Sequence, residues 1–423
     1  MATETLDIVI VGAGLSGINT AYRLQKDLPH CTFTILEARD GIGGTWDFWK
    51  YPGIRSDSSM SMASTIRSAS VTRLTSASWS SDEQRWTILA DVSRDGGTVE
   101  KKEFKVWWFT IASGHYRYEQ AFPVVIPVIE RFAGQVVHPQ FWDKNIDYAG
   151  KQIVIIRSGT TAVTLLPALA ETARSVTMLQ RSPSHVFSAP QKNRMVRVLS
   201  RFMSTRWARA VIWWQRMLVE AVFVKVLLAF PHFSRRFIMT EMRKQLPEGF
   251  DVDKHFNPRY NPFEQLLCFC PGGDFFKALH KPSTGVVTDT IETVTETGIL
   301  LKSGETLEAD MIIAATDGES ASDAIGQKYV WNGTMLGGVP NSGFISGYTA
   351  ATWTPGADVR ARQLIKVIKH LKKTGATAAA SFIKPSERAR LPVKPALTLG
   401  STYIVSAYER MPKVAGVGPW RME

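Results

Sequence analysis

A chain of 423 residues with 44% apolar and 21% charged composition has the makeup of a folded globular protein, long enough for two or three domains and a well-buried core. Lys and Arg exceed Asp and Glu by 12, which suits anionic partners such as dinucleotides or an acidic membrane face. No recognised motif or low-complexity basic arm accompanies that charge, so nucleic-acid binding is not expected.

The segment MATETLDIVIVGAG has no basic stretch followed by an apolar core, so no signal peptide and a cytoplasmic location are expected. Within it, LDIVIVGAGLSG reads as a strand running into Gly12, Gly14 and Gly17, with INTAYRLQKDL as the helix that follows. Each glycine has a physical reason. Gly12 permits the tight turn, Gly14 lets the backbone approach a pyrophosphate, and Gly17 lets the helix pack close to the strand. The helix N-terminus attracts the phosphate charge. A second strand, CTFTILEARD, ends at Glu37, twenty residues past Gly17, where a carboxylate accepts hydrogen bonds from a ribose diol.

GGTWDFWKYPGIRSD (43–57) is rich in glycine, aromatics and turn residues, a composition that lines a pocket. SMSMASTIRSASVTRLTSASWSSDE (59–83) reads as loop or a poor strand, QRWTILADVS as a strand, and FKVWWFTIASG as a strand ending at Gly114. FAGQVVHPQFW (132–142) follows. A second strand-to-helix corner is IVIIRSGTTA, in which Ser158, Gly159, Thr160, Thr161 and Ala162 lead into AVTLLPALAETA. Arg157 stands at the place of its first glycine, where a side chain crowds the turn and weakened dinucleotide affinity is expected. Arg181 lies 22 residues past Gly159, after the strand VTML, and a cation there suits a ribose 2′-phosphate.

Residues 194–244 read as a helical insertion. Arg216, Glu220 and Lys225 interrupt it, so it has no membrane-spanning run. Trp207, Trp213 and Trp214 among arginines leave two readings open: peripheral contact with a membrane interface, or a helical pair covering a substrate cleft. Cys268 and Cys270 form C-x-C, not the C-x-x-C of a redox dithiol. They read as small buried hydrophobes, and a dithiol–flavin reductase is set aside. No metal site is expected. EADMIIAAT (308–316) reads as a strand and VRARQLIKVIKHLKK as a helix with one basic face.

The motifs GAGLSG (12–17), GGTWDFWKYPGIRSD and FAGQVVHPQFW together resemble the class B flavoprotein monooxygenases of the Baeyer–Villiger type. Phe132, Gly134, His138 and Trp142 fit that family's fingerprint, and the resemblance runs with gaps to about residue 358. It implies an α/β fold with two Rossmann-like dinucleotide domains, the NADPH domain (150–316, with the helical insertion) set into an FAD domain (1–149 and 317–423). It places FAD at Gly12, Gly14, Gly17, Glu37, Gly44, Thr45, Trp46 and Asp57, and NADPH at Ser158, Gly159, Thr160, Thr161 and Arg181. The fingerprint residues are implied to link the domains and not to transfer protons.

The implied reaction inserts one oxygen atom of O2 into a ketone, thioether or thioamide through a C4a-peroxyflavin. Asp57 matches the family's orienting aspartate. Leu266 stands where the family carries its peroxide-stabilising arginine, with Arg55 as a substitute cation. Asp317 replaces a glycine after the second crossing strand, and the segment after Asp57 is short. These departures keep a second reading open: a catalytically silent relative that binds FAD.

Overall fold

The computed structural model describes residues 3–54, 68–69, 71–94, 97–114, 116, 118–119, 126–189, 201, 203–262, 264–265, 267–315, 323–326, 328–347, 353–396, 405 and 408–422. Arg55, Asp57, Leu266 and Asp317 lie outside the described residues.

The first layer grows from strand β1 (Thr3–Val11). Its Ile8, Val9 and Ile10 are fully buried on both faces, the pattern of a central parallel strand. Helix α1 (Leu15–Asp27) returns the chain to β2 (Phe33–Leu36), which pairs parallel to β1 and to the short β3 (Ser68–Ala69), with the single turn α2 (Thr45–Phe48) between β2 and β3 in sequence. β4 (Thr72–Ser80), β5 (Arg85–Ser93) and β6 (Val99–Ile111) form an antiparallel meander.

β6 joins both parts of this sheet. Residues 99–106 pair with β5, residues 103–111 run parallel to β1, and residues 109–111 take the late strand Ser342–Phe344 on the other edge. One face is covered by α1 and the long helix Trp353–Thr374, whose Leu364, Ile365 and Ile368 meet Ile8, Ile10 and Leu24. Arg23 of α1 forms a two-point ion pair with Asp358 at 2.7–2.9 Å to fix their register.

Of the two readings open for 59–83, loop or a poor strand, the polar run 72–80 takes the second: it is a nine-residue strand because it pairs along nearly all of β5. Its Ser- and Thr-rich sequence lacks clean alternation because most of its side chains are partly or fully exposed.

The second layer is all parallel, in the order β12 (Thr284–Thr288), β9 (Ser175–Gln180), β8 (Gln152–Ile156), the strand Met311–Ala314, and β7 (Gln135–Val137). β8 leads into α3 (Thr160–Leu169), whose Val163, Leu165, Leu166 and Leu169 are buried in the larger core. β7 lies N-terminal to residue 150 yet hydrogen-bonds in this sheet.

Among its described residues the insertion holds two helices, α4 (Thr205–Ala229) and α5 (Pro231–Arg243). Proline sits at the first position of α5, where its missing N–H costs nothing. α5 lays Ile238, Met239 and Met242 on the second core, beside the parallel pair β10 (His185–Ala189) and β11 (Leu267–Pro271).

Candidate cofactor cleft

Gly12 ends β1 at φ +103°, and a Cβ there would sit 2.6 Å from the Ala112 carbonyl oxygen. Its N–H donates to the Leu36 carbonyl at 2.8 Å, locking the corner to β2. Gly14 is the extended residue that starts α1, and a Cβ on Gly17 would lie 1.9 Å from the Gly12 carbonyl oxygen. Gly12 and Gly17 are therefore steric requirements of one close packing, whereas a Cβ on Gly14 would make only ordinary contact, 3.6 Å from Gly44 Cα. Glu37 is nearly buried. Its Oε2 accepts the Ala13 N–H at 2.7 Å and its Oε1 the Arg39 N–H at 3.0 Å. A carboxylate has about four acceptor positions, so capacity for ribose hydroxyls remains.

The loop after β2 folds back onto this corner. The Gly43 N–H donates to the Ala13 carbonyl at 2.8 Å, and Gly44, at φ +56°, stacks so close that a Cβ would meet Gly14 Cα at 2.8 Å. Arg39 pairs with Asp47 at 2.8 Å, donates to the Gly44 carbonyl, and lies over the rings of Phe48 and Tyr118. Burial pushes the Tyr118 hydroxyl pKa up, opposed by its hydrogen bond with Thr45. Trp353 closes the far side, its indole N–H donating to Ser16 Oγ at 3.1 Å.

The second corner repeats the geometry of the first. The Arg157 N–H donates to the Leu179 carbonyl at 2.8 Å, as Gly12 does to Leu36. Arg157 has φ +113°, so the crowding expected at this place is borne as a left-handed backbone angle. Gly159 starts α3 with φ −77° and ψ 177°, close to the −75° and −176° of Gly14. Ala162, fully buried, replaces the third glycine. Behind the turn, Ser158 Oγ meets Ser184 Oγ at 2.8 Å, and the Cys268 thiol donates to the Ser158 carbonyl at 3.6 Å. Burial pushes that thiol up to about 12, and Cys31, Cys268 and Cys270 are all buried and unbridged.

Both corners open on one cavity of about 650 Å³, within the usual range of about 300–1,000 Å³ for ligand pockets. Gly12, Gly14, Glu37, Gly44, Thr45 and Trp46 line it from the first unit, and Thr160, Thr161 and Thr164 from the second. Gly53, at φ +82°, carries the loop across, and a Cβ there would lie 2.7 Å from the Thr164 carbonyl oxygen. Trp49 and Tyr51 of the same loop are buried in the second unit's core.

Gly17, Ser158, Gly159 and Arg181 do not themselves line the cavity. Gly17 packs under the first corner, Ser158 and Gly159 form the second, and Arg181 is exposed just after β9. The fingerprint residues stand apart from the cleft along β7 and the turn after it. Phe132 and Trp142 are buried, and a Cβ on Gly134 would sit 2.5 Å from the Asp310 carbonyl oxygen. His138 is half-buried, its Nδ1 without a hydrogen-bond partner among the described residues, and burial lowers its pKa. Sequence reasoning gave no role to Arg39, Tyr118 and Trp353. Trp353 lies near the end of the stretch over which the resemblance runs, and Tyr118 carries no local signal.

Residues 10–76 match the NAD(P)-binding Rossmann-like domain, and residues 64–212 match the flavin-binding monooxygenase-like family. The chain is 38% identical to the FAD-containing monooxygenase EthA of Mycolicibacterium smegmatis, an alignment covering 100% of this chain and 93% of that protein. It is 35% identical to EthA of Mycobacterium tuberculosis H37Rv, covering 99% and 93%. The first alignment spans 466 positions against 423 residues here, leaving at least 43 gap positions in this chain. Among solved structures, a steroid monooxygenase bound to NADP superposes with a TM-score of 0.72 at 20% identity, covering 96% of this chain and 94% of that one. A cyclohexanone-bound cyclohexanone monooxygenase gives 0.69 at 18%, covering 92% and 91%. At those identities the likeness is one of fold.

Proposed function

The chain belongs to the FAD-containing monooxygenase family, and on that premise we propose that it uses FAD and NADPH to insert one oxygen atom of O2 into a ketone or a sulfur-containing small molecule. The observation that carries this reading is the shared cavity, in which Gly12 and Gly14 of one phosphate-cradling corner face Thr160 and Thr161 of the other. FAD, when bound, accepts a hydride from the nicotinamide and activates O2.

The residues present fit two dinucleotides. The first corner is packed so tightly that glycine alone serves at Gly12 and Gly17, which leaves backbone N–H groups of α1 to hold a pyrophosphate. Glu37 accepts from ribose hydroxyls with the lone pairs left by Ala13 and Arg39. Thr45 and Trp46 border the flavin, and Trp49, Tyr51 and Trp353 line the cavity as an apolar wall that limits water. The α3 N-terminus with Ser158, Gly159, Thr160 and Thr161 holds the second pyrophosphate, and Arg181 pairs with the 2′-phosphate of NADPH. Asp57 orients the peroxide-stabilising cation, which Arg55 supplies because Leu266 cannot.

The same proposal divides the chain into an FAD part (1–149 and 317–423) and an NADPH part (150–316), with β7 reaching forward to complete the second sheet. It includes a cytoplasmic setting, which suits three unbridged thiols. The relatives are named monooxygenases and do not favour a silent FAD-binding protein. The test is purified protein that retains flavin, consumes NADPH with O2 uptake, and converts a ketone to an ester or a thioether to a sulfoxide. Gly12→Ala, which strains the corner, is expected to lose flavin. Failure of the wild-type protein to take up FAD, or NADPH oxidation yielding only hydrogen peroxide with every substrate, overturns it.

A further inference from the structure

Helix α4 carries two apolar faces, and the fold covers one. Ala208, Ile212 and Leu227 are buried, and Phe223 packs 5.7 Å from Phe187 of β10. Trp207, Val211, Trp214, Leu218 and Val222 follow one another at steps of four, three, four and four residues, which sets them on a single helical face. That face is open. Trp207 and Trp214 are each 68% exposed and Leu218 is 66% exposed. Phe230 and Phe233, also exposed, continue the surface through the turn into α5. Contiguous apolar surface of this kind marks an interaction site.

The sequence of this segment is one-sided in charge. Residues 194–236 hold nine Lys or Arg against one acid, Glu220, in a chain whose whole excess is 12. Roughly two-thirds of the net positive charge thus lies in about a tenth of the sequence. We propose that the α4–α5 hairpin docks the protein on an anionic lipid bilayer, with α4 lying in the plane of the interface. Tryptophan at headgroup depth, aliphatic side chains below it and basic residues beside the phosphates form the arrangement such a surface selects.

Among the described residues no helix is long and apolar enough to cross a membrane, so the contact is with one leaflet surface. A second copy is a poor occupant, since a two-fold contact would bring two strongly basic segments together. A lid over the cleft is disfavoured too, because no described residue of α4 or α5 lines the cavity.

The experiment is co-sedimentation of the full chain with vesicles of phosphatidylcholine alone or mixed with phosphatidylglycerol, at low and high salt. The proposal expects binding to the mixed vesicles, weakened but not abolished by salt, and little binding to phosphatidylcholine. The triple variant Trp207→Ser, Trp214→Ser, Leu218→Ser, changed only at exposed positions, is expected to bind about tenfold or more weakly with an unchanged melting temperature. If that variant misfolds, Lys225→Glu with Arg236→Glu, both exposed, tests the charge half alone. Wild-type protein left in the supernatant with both vesicle types overturns the proposal. So does a folded triple variant binding as well as wild type, or light scattering that shows a dimer which the triple variant dissolves. None of these outcomes depends on turnover.

Discussion

Arg157 and Gly12 hold matching places in the two corners at φ +113° and +103°, but only glycine reaches that region without cost. For an L side chain the penalty is about 1–3 kcal/mol, held here by the bond to Leu179 and by the packing of β8. Arg157→Gly is therefore expected to stabilise the fold by about 1 kcal/mol and to tighten NADPH binding. Thermal melting and an NADPH titration check both, and unchanged values in the two assays count against the strain argument. His185 makes a second residue-level case. It is fully buried, its Nε2 faces the Tyr260 carbonyl at 3.0 Å, and burial lowers its pKa to about 4. The unfolded chain takes up a proton near pH 6.5 while the folded one does not, so stability is full above 6.5 and falls as pH drops towards 4. The loss is about 1.4 kcal/mol per pH unit, on the order of 3 kcal/mol in all. Urea unfolding at pH 7.5 and pH 5 should show this drop in wild type and a smaller one in His185→Gln.

At the scale of elements, the two corners differ in how closely helix meets strand. A Cβ on Gly17 would lie 1.9 Å from a backbone oxygen, whereas Ala162 already carries one at the matching place while fully buried. Gly17→Ala should push α1 off β1 and strip the flavin, while Ala162→Gly should cost only about 1 kcal/mol of helix propensity. Flavin content after gel filtration, with melting temperatures, separates the two, and equal flavin retention would mean the close packing is not what holds the cofactor. The first corner was legible because its strand, glycines and acid lie within 37 residues of sequence. β4 was legible only as loop or a poor strand, because its reason to be extended is β5, and pairing energy leaves little trace in a half-exposed Ser/Thr run. β7 was hidden for a similar reason: three residues at a sheet edge become a strand only beside Met311–Ala314.

Over the whole molecule, Gly53 marks the place where the loop of the first unit crosses onto α3 of the second. It is at φ +82° and has no room for a Cβ beside the Thr164 carbonyl. Gly53→Ala is expected to cost about 1–3 kcal/mol and to slow NADPH-driven flavin reduction while leaving FAD content intact; stopped-flow reduction under anaerobic conditions reads this, and an unchanged rate would show that the crossing does not set the cleft. Read alone, the sequence determined the two nucleotide corners, the residues at their turns and the family they resemble. Those features are local: a glycine's dihedral freedom and a helix N-terminus act within a few residues of themselves. Only the tertiary structure decided that the corners share one cavity, that Tyr118 and Trp353 wall it, and that α4 turns an apolar stripe to solvent. Each depends on which distant surfaces meet and which stay uncovered, and that is settled by packing the whole chain.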